Sequence, residues 1–224
     1  MIFGLKKQIC NVCGEENTVF VYRSFTIMDS LQDLDGRVRE TKDLMHSWVH
    51  RCKNCGYTAC CLDNKTTVTK EWILNYAEPI CNSFAFKSEV AKDFYMAYLI
   101  SKEDEDDINA AFYPLYSAWA CDDAEDVENA KHCRKVAVEC LFKITTEEQK
   151  LKEAKALVMC DLLRRAGCFA QAKDVLGNTA FVSKDNNKGR LFHLEKIKMK
   201  DSNCYTTDDV EKWTESISIE EERP

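Results

Sequence analysis

Glycine and proline are scarce in this chain, with seven and three among 224 residues. Loops that cradle phosphates are built from glycine, so a nucleotide-binding turn has little material here. Long apolar runs are missing as well. No stretch approaches the ~18 apolar residues of a membrane span, and Met1-Ile2-Phe3-Gly4-Leu5-Lys6-Lys7 lacks the apolar core of a secretion leader. Histidine occurs four times, without the His-Glu-x-x-His of a metalloprotease, and no nucleophile elbow is present. His132 and Cys133 adjoin, but neighbours in sequence on a helix point about 100° apart, which is wrong for a base and its nucleophile. These absences predict a protein without membrane association, cytoplasmic in location and not an enzyme.

Cysteine is abundant by contrast, at thirteen. An odd count without a secretion leader argues for a reducing compartment rather than a disulfide framework. Four of the thirteen form two knuckles, Cys10-Asn11-Val12-Cys13-Gly14 and Cys52-Lys53-Asn54-Cys55-Gly56. A Cys-x-x-Cys turn points two sulfurs at one ion, and the following glycine lets the backbone turn tightly beneath them. Two such turns complete a tetrahedral site. Cys10, Cys13, Cys52 and Cys55 are therefore the predicted ligands of one structural zinc per chain. Four thiolates leave no position for water or substrate, so the metal supplies folding energy rather than chemistry. The alternative metal is a single iron in a rubredoxin-like centre. A dithiol redox motif requires a helix N-terminus beside a βαβ unit, and neither knuckle has that context.

The other nine cysteines (Cys60, Cys61, Cys81, Cys121, Cys133, Cys140, Cys160, Cys168 and Cys204) read as small buried apolar residues. Vicinal Cys60 and Cys61 carry a competing redox or metal reading. His46 and His50, four apart, carry a weaker one as a second metal pair.

Asn17 to Tyr22, rich in β-branched and aromatic residues, is the expected strand leaving the first knuckle, and Ser47 to Arg51 the strand entering the second. Between them, Asp29 to Arg37 reads as a hairpin excursion. Asp29, Asp33 and Asp35 lack the twelve-residue calcium-loop pattern and are expected in a solvated turn. From Thr69 the apolar period becomes helical: Trp72, Ile73, Tyr76 and Ala77, a break at Pro79, then Phe94, Tyr95, Tyr98 and Leu99. The acidic run Glu103 to Asp107 suits the start of the next helix. Residues 108–177 give three or four helices, one containing Pro114, which implies a late start or a kink. Thr146 with Gln149 forms a capping-box pattern, Gly167 is a stop, and Phe169 to Gly177 is a short return helix. A last helix spans Gly189 to Lys200. Its basic residues Lys188, Arg190, Lys196, Lys198 and Lys200 read as a solvated face or as docking onto the chain's own acidic body, with a grip on an acidic partner as the alternative.

The predicted fold class is α+β, mainly α: a small N-terminal zinc-ribbon β module in residues 1–68, a helical bundle with tetratricopeptide-like helix pairs in residues 69–205, and an acidic flexible tail in residues 206–224. Leu163, Gly167, Phe169 and Ala172 fall where a tetratricopeptide unit wants them, although its period of about 34 residues is not visible. The order of features resembles the bacterial DUF2225 family: a doubled Cys-x-x-Cys-Gly ribbon with Tyr57 after it, then helices carrying Asp161-Leu162-Leu163-Arg164-Arg165-Ala166-Gly167-Cys168-Phe169. The resemblance covers Cys10 to about Asp201. It implies zinc at the four knuckle cysteines and a helical interaction surface, and it carries no reaction.

Charge bears on partners. Residues 1–70 hold ten Lys and Arg against eight Asp and Glu, leaving 21 against 30 for the rest. A mildly basic ribbon on an acidic body disfavours phosphate backbones. The sequence thus predicts a non-enzymatic zinc-binding adaptor with a protein partner. The alternative is a nucleic-acid-associated factor using Arg37, Arg39, Lys42, Arg51 and Lys53, and a cysteine-dependent redox protein is a third.

Overall fold

Each knuckle is the turn of a β-hairpin. In the computed structural model, which describes residues 2–24 and 31–221, β1 (Ile2–Ile9) pairs antiparallel with β2 (Glu16–Ser24) across the first knuckle. β3 (His50–Arg51) pairs with β4 (Thr58–Ala59) across the second. The alternation of β2 places Asn17 and Val19 on the buried face and Thr18 and Phe20 on the exposed one. The second strand is shorter than expected. Residues Arg39–Ser47 form a 3-10 helix instead of leading into a strand, and only His50 and Arg51 pair. Leu44 and Met45 bury themselves from that helix, a spacing a strand would not give.

The chain divides into two compact units that do not follow the sequence order: residues 1–28 with 40–143, and residues 29–39 with 144–224. Residues 69–143 therefore group with the ribbon. In this first unit α1 (Lys70–Trp72), a π-helical turn Ile73–Ala77 and α2 (Glu78–Ser83) run on from one another. The expected break at Pro79 does not occur, because the wide turn before it leaves room for the ring at the first positions of α2. Then α3 (Glu89–Glu103), α4 (Asp107–Asp123) and α5 (Val127–Lys143) pack as successive antiparallel neighbours. Pro114 lies inside α4, which starts at Asp107 and not late.

The two helix joints are built alike. Glu105-Asp106-x-x-Asn109-Ala110 and Glu125-Asp126-x-x-Asn129-Ala130 repeat the same residues twenty positions apart. In each the glutamate takes a positive φ (58° and 54°), and the next N–H returns to a carbonyl five residues back (Ser101 and Cys121, both 2.8 Å). This is a Schellman ending. Each aspartate then accepts from its asparagine, and each alanine is buried where helices meet. Gly167 (φ 78°) closes a third joint of the same geometry, ahead of Cys168 and buried Ala172.

The ribbon lies against these helices within the first unit. Trp48 meets Phe94 and Tyr116 edge-on, with ring centres 6.3 and 5.1 Å apart, Arg51 pairs with Asp93 and Glu78, and Asp104 accepts from Thr66 and Thr67.

The second unit contains α6 (Gln149–Arg165), α7 (Phe169–Gly177), α8 (Lys184–Lys198) and α9 (Thr207–Glu221). α7 has the expected bounds, whereas α8 begins five residues before Gly189, capped by Ser183. The Thr146–Gln149 box does not form: Thr146 accepts from Glu148 in the turn, and the Gln149 amide goes to the Ala180 carbonyl. A reciprocal box forms instead at Thr206 and Asp209, so residues expected in a flexible tail are helical to Glu221. Trp213 on α9 donates to Glu195 and meets the Phe192 ring at 5.6 Å.

The excursion between the knuckles belongs to this unit. Asp29 lies outside the described residues. Asp33 and Asp35 are not solvated: they are 6% and 2% exposed. Asp35 receives Arg165 at 2.6 Å, Asp33 receives Arg39 at 2.9 Å, and the backbone of residues 32–34 bonds to Tyr205 and Thr207. Buried carboxylates need such partners. Behind them Arg164, fully buried, donates to Asp161 (2.6 Å) and the Asp201 carbonyl (2.7 Å) and lies over the Tyr205 ring. Among the described residues no helix is long and apolar enough to cross a membrane.

Candidate metal centre

The two knuckles are superimposable in their bonding. The N–H of the first cysteine donates to the residue five ahead (Cys10 to Glu15, 2.9 Å; Cys52 to Tyr57, 2.8 Å), and the trailing glycine N–H returns to that cysteine's carbonyl (2.8 and 3.0 Å). Gly14 and Gly56 sit at φ 74° and 76°, a conformation that side chains resist. Gly56 has a second reason to lack a side chain, since a Cβ there would stand 2.9 Å from Glu78 Oε1 and 3.3 Å from Ile73 Cγ2.

The hairpins bring all four thiols together. Cys10 Sγ lies 3.6 Å from Cys55 Sγ, Cys13 Sγ 3.6 Å from Cys52 Sγ, and the four sulfurs fall within 4.8 Å of one another. Sulfurs bound tetrahedrally at ~2.3 Å stand about 3.8 Å apart. The cluster has that size, and it can hold a metal ion through Cys10, Cys13, Cys52 and Cys55. Three of the four are buried. Among the described residues no other group of three or more His, Cys, Asp or Glu converges in this way.

Donors are arranged around the sulfurs. Val12 and Cys13 N–H groups face Cys10, those of Asn54 and Cys55 face Cys52, and that of Tyr57 faces Cys55. Burial pushes the Cys10 and Cys55 thiols up. It acts on Cys52 as well, but the two backbone donors, Asn17 and Cys13 outweigh it and bring this thiol down to about 7. Metal binding requires the thiolate, so these donors favour the ligating form.

Asn17 is the residue that reading the sequence does not single out. Its side chain is buried, its Oδ1 accepts from the Lys53 N–H at 3.1 Å, and its Nδ2 donates to Cys52 Sγ at 3.4 Å and to the Glu15 carbonyl at 3.0 Å. One amide thereby ties β2 to the second knuckle. The available signal is its place in the period: Asn17 precedes Val19 on the inward face of a strand, where a polar side chain demands partners.

The other candidates lie elsewhere. His46 contacts the Phe20 and Tyr22 rings, and His50 is buried, its imidazole held below its ordinary pKa by desolvation and by Lys6 and His46. Cys60 and Cys61 line a cleft of about 360 Å3 with Lys6, His50 and Trp48, and Lys6 Nζ stands 4.0 Å from Cys61 Sγ. Burial raises the Cys61 thiol, contrary to a reactive thiolate. His132 bonds Tyr95 at 2.9 Å and stacks on Phe84, while Cys133 faces Ser117, so the two do not converge. Of the spare cysteines, Cys81, Cys121, Cys133, Cys140 and Cys160 are buried as expected; Cys60 and Cys204 are exposed, and Cys61 and Cys168 half-buried. The five cations of the nucleic-acid reading are largely engaged: Arg39 with Asp33, Lys42 with Asp123, Arg51 with Glu78 and Asp93, and Arg37 buried, which leaves Lys53 exposed.

Fold and site together define a β-ribbon seated on helices, whose four cysteines can hold a metal ion. No family model, curated protein or solved structure matches the chain.

Proposed function

We propose that this protein is a non-enzymatic adaptor in which one structural zinc holds the ribbon in shape and the helical surface binds a protein partner. The observation that carries this reading is the closed thiol cluster. Four sulfurs mutually within 4.8 Å fill a tetrahedral coordination sphere, so substrate has no place on the metal. Zinc is favoured by all-thiolate tetrahedral ligation in a setting of folding rather than chemistry. Exposed apolar side chains on the helices, Ile108 and Phe112 one turn apart on α4 and Val127 and Phe142 on α5, support a binding surface.

Metal content and native mass of the purified chain, before and after chelation, test the reading. The expected result is one zinc per chain, whose removal unfolds the ribbon while the helical far-UV signal largely persists. Iron in place of zinc, or a zinc-free chain with unchanged structure, refutes the metal's role. Turnover of a hydrolase or transferase substrate that single substitutions in the helices abolish refutes the adaptor.

A further inference from the structure

The β1–β2 ribbon has an open edge with a readable pattern. In an antiparallel pair, residues alternate between those whose N–H and C=O face the partner strand and those whose groups face away. The Cys10 N–H bonds the Glu15 carbonyl, which fixes the phase. By the register Gln8↔Asn17, Lys6↔Val19 and Gly4↔Val21, those β1 residues face β2, whereas Leu5, Lys7 and Ile9 direct their backbone groups outward. The side chains of these same three residues share the solvent face. Leu5 is 68% and Ile9 60% exposed, and Lys7 stands between them, paired across the strands with Glu16 at 2.7 Å. The edge ends where the Leu62 carbonyl takes the Asn11 N–H. The far edge differs, because Phe20 and Tyr22 of β2 contact His46 and the Tyr22 hydroxyl donates to the Asp43 carbonyl.

We infer that β1 is a strand-addition site for an extended segment of a partner protein with the pattern apolar–x–acidic–x–apolar, its acidic residue opposite Lys7 and its apolar residues opposite Leu5 and Ile9. Main-chain bonds to Leu5 and Lys7 would give affinity, and the alternating side chains would give register. A two-stranded ribbon gains most from a third strand. The Lys7–Glu16 pair is solvent-exposed on both sides, so Lys7 can turn to a stronger partner on an added strand, and its charge selects the occupant. A second copy pairing through its own β1 in the fully overlapped register, Leu5 against Ile9, brings Lys7 against Lys7, and like charges directly opposite are unfavourable. An acidic side chain at that position is complementary.

This inference rests on the adaptor reading and adds to it a second surface, on the ribbon. The test uses the zinc-loaded full chain, titrated by calorimetry with the capped peptide Thr-Val-Thr-Glu-Thr-Val-Thr and with its Lys-centred counterpart, while amide exchange is followed at each β1 residue. The acidic peptide should bind about tenfold more tightly, the difference between opposite and like charges across a strand pair. It should slow exchange at Leu5 and Lys7. Lys7→Glu should reverse the preference. Lys7→Pro removes the outward N–H together with the lysine side chain and its Glu16 pair, leaves the β1–β2 backbone bonds in place, and should abolish binding of both peptides, whereas Lys7→Ala should remove only the preference between them, with metal content unchanged in each. Equal binding of both peptides, binding indifferent to Lys7→Pro, or concentration-dependent slowing of Leu5 and Lys7 exchange without peptide overturns the edge site and leaves the adaptor reading standing. Turnover of a hydrolase or transferase substrate that single substitutions in the helices abolish would instead strike the adaptor reading, whatever the peptides do at β1.

Discussion

The two knuckle glycines offer a matched pair in which backbone conformation and packing can be separated. Both have φ near +75°, so Ala at either position incurs the left-handed penalty of about 1–2 kcal/mol. At Gly14 nothing lies within 4 Å of a new Cβ, and that penalty is the whole effect. At Gly56 the methyl meets Glu78 Oε1 at 2.9 Å and fully buried Ile73 at 3.3 Å. Glu78 can swing aside only by leaving Arg51, a partly buried ion pair worth about 1 kcal/mol after solvent screening. Gly56→Ala should therefore cost about 2.5 kcal/mol against about 1.5 for Gly14→Ala. Denaturant unfolding of the metal-loaded chain, followed by tryptophan fluorescence and metal release, measures both. In a Glu78→Ala background the carboxylate is gone, and the cost of Gly56→Ala should fall by about 1 kcal/mol towards the Gly14 value, a coupling read from the double-mutant cycle. Equal costs for the two glycines, or no coupling to Glu78, would refute the packing argument.

Three further outcomes follow from buried polar groups. Asn17→Ala leaves the Lys53 N–H without its acceptor and Cys52 without its side-chain amide donor, so it should cost about 1–3 kcal/mol and speed release of the bound metal to a chelator, measured by stopped-flow. Asp35→Ala removes the buried carboxylate that receives Arg165 at 2.6 Å and should destabilise the second unit by about 3 kcal/mol, while Asp35→Leu with Arg165→Met recovers much of that loss on thermal unfolding. His193 is buried and neutral, held down to about 4 by desolvation and by Arg164, with Asp161 acting the other way. Its folded pKa lies below the ordinary 6.5, so the unfolded chain takes the proton first. Stability should be constant above pH 6.5 on this account and fall by roughly 3 kcal/mol as pH drops towards 4. His193→Gln should flatten that slope in denaturant titrations across pH.

What could be read from the sequence was local. The knuckles, their glycines, the strand after the first, α7 and the Gly167 joint depend on residues within a turn or two of one another, and all appear where their patterns place them. The repeated Glu-Asp-x-x-Asn-Ala at 105 and 125 is equally local. It is easily passed over, because a glutamate rather than a glycine takes the positive φ. The excursion was not legible. Asp33 and Asp35 look like a solvated turn until Arg165 is known to sit beside Asp35, and 130 residues separate that pair. The strand expected before the second knuckle is cut to His50 and Arg51 for a related reason: Leu44 and Met45 find buried positions from a 3-10 helix, which an alternating pattern around Trp48 does not announce.

The assignment of residues 29–39 to the second unit, while both flanking stretches belong to the first, bears on how this chain can be divided. The polypeptide crosses between units three times, near residues 28, 39 and 143. A truncation after Lys143 would keep both knuckles, yet would strip Asp33 and Asp35 of the Arg165 and Thr207 groups that satisfy their segment. The complementary fragment would hold Arg165 without Asp35. Neither half is a module in the sense of a bead on a string, and a recombination event or an engineered fusion that treats residue 143 as a boundary should yield two unstable pieces from one stable chain.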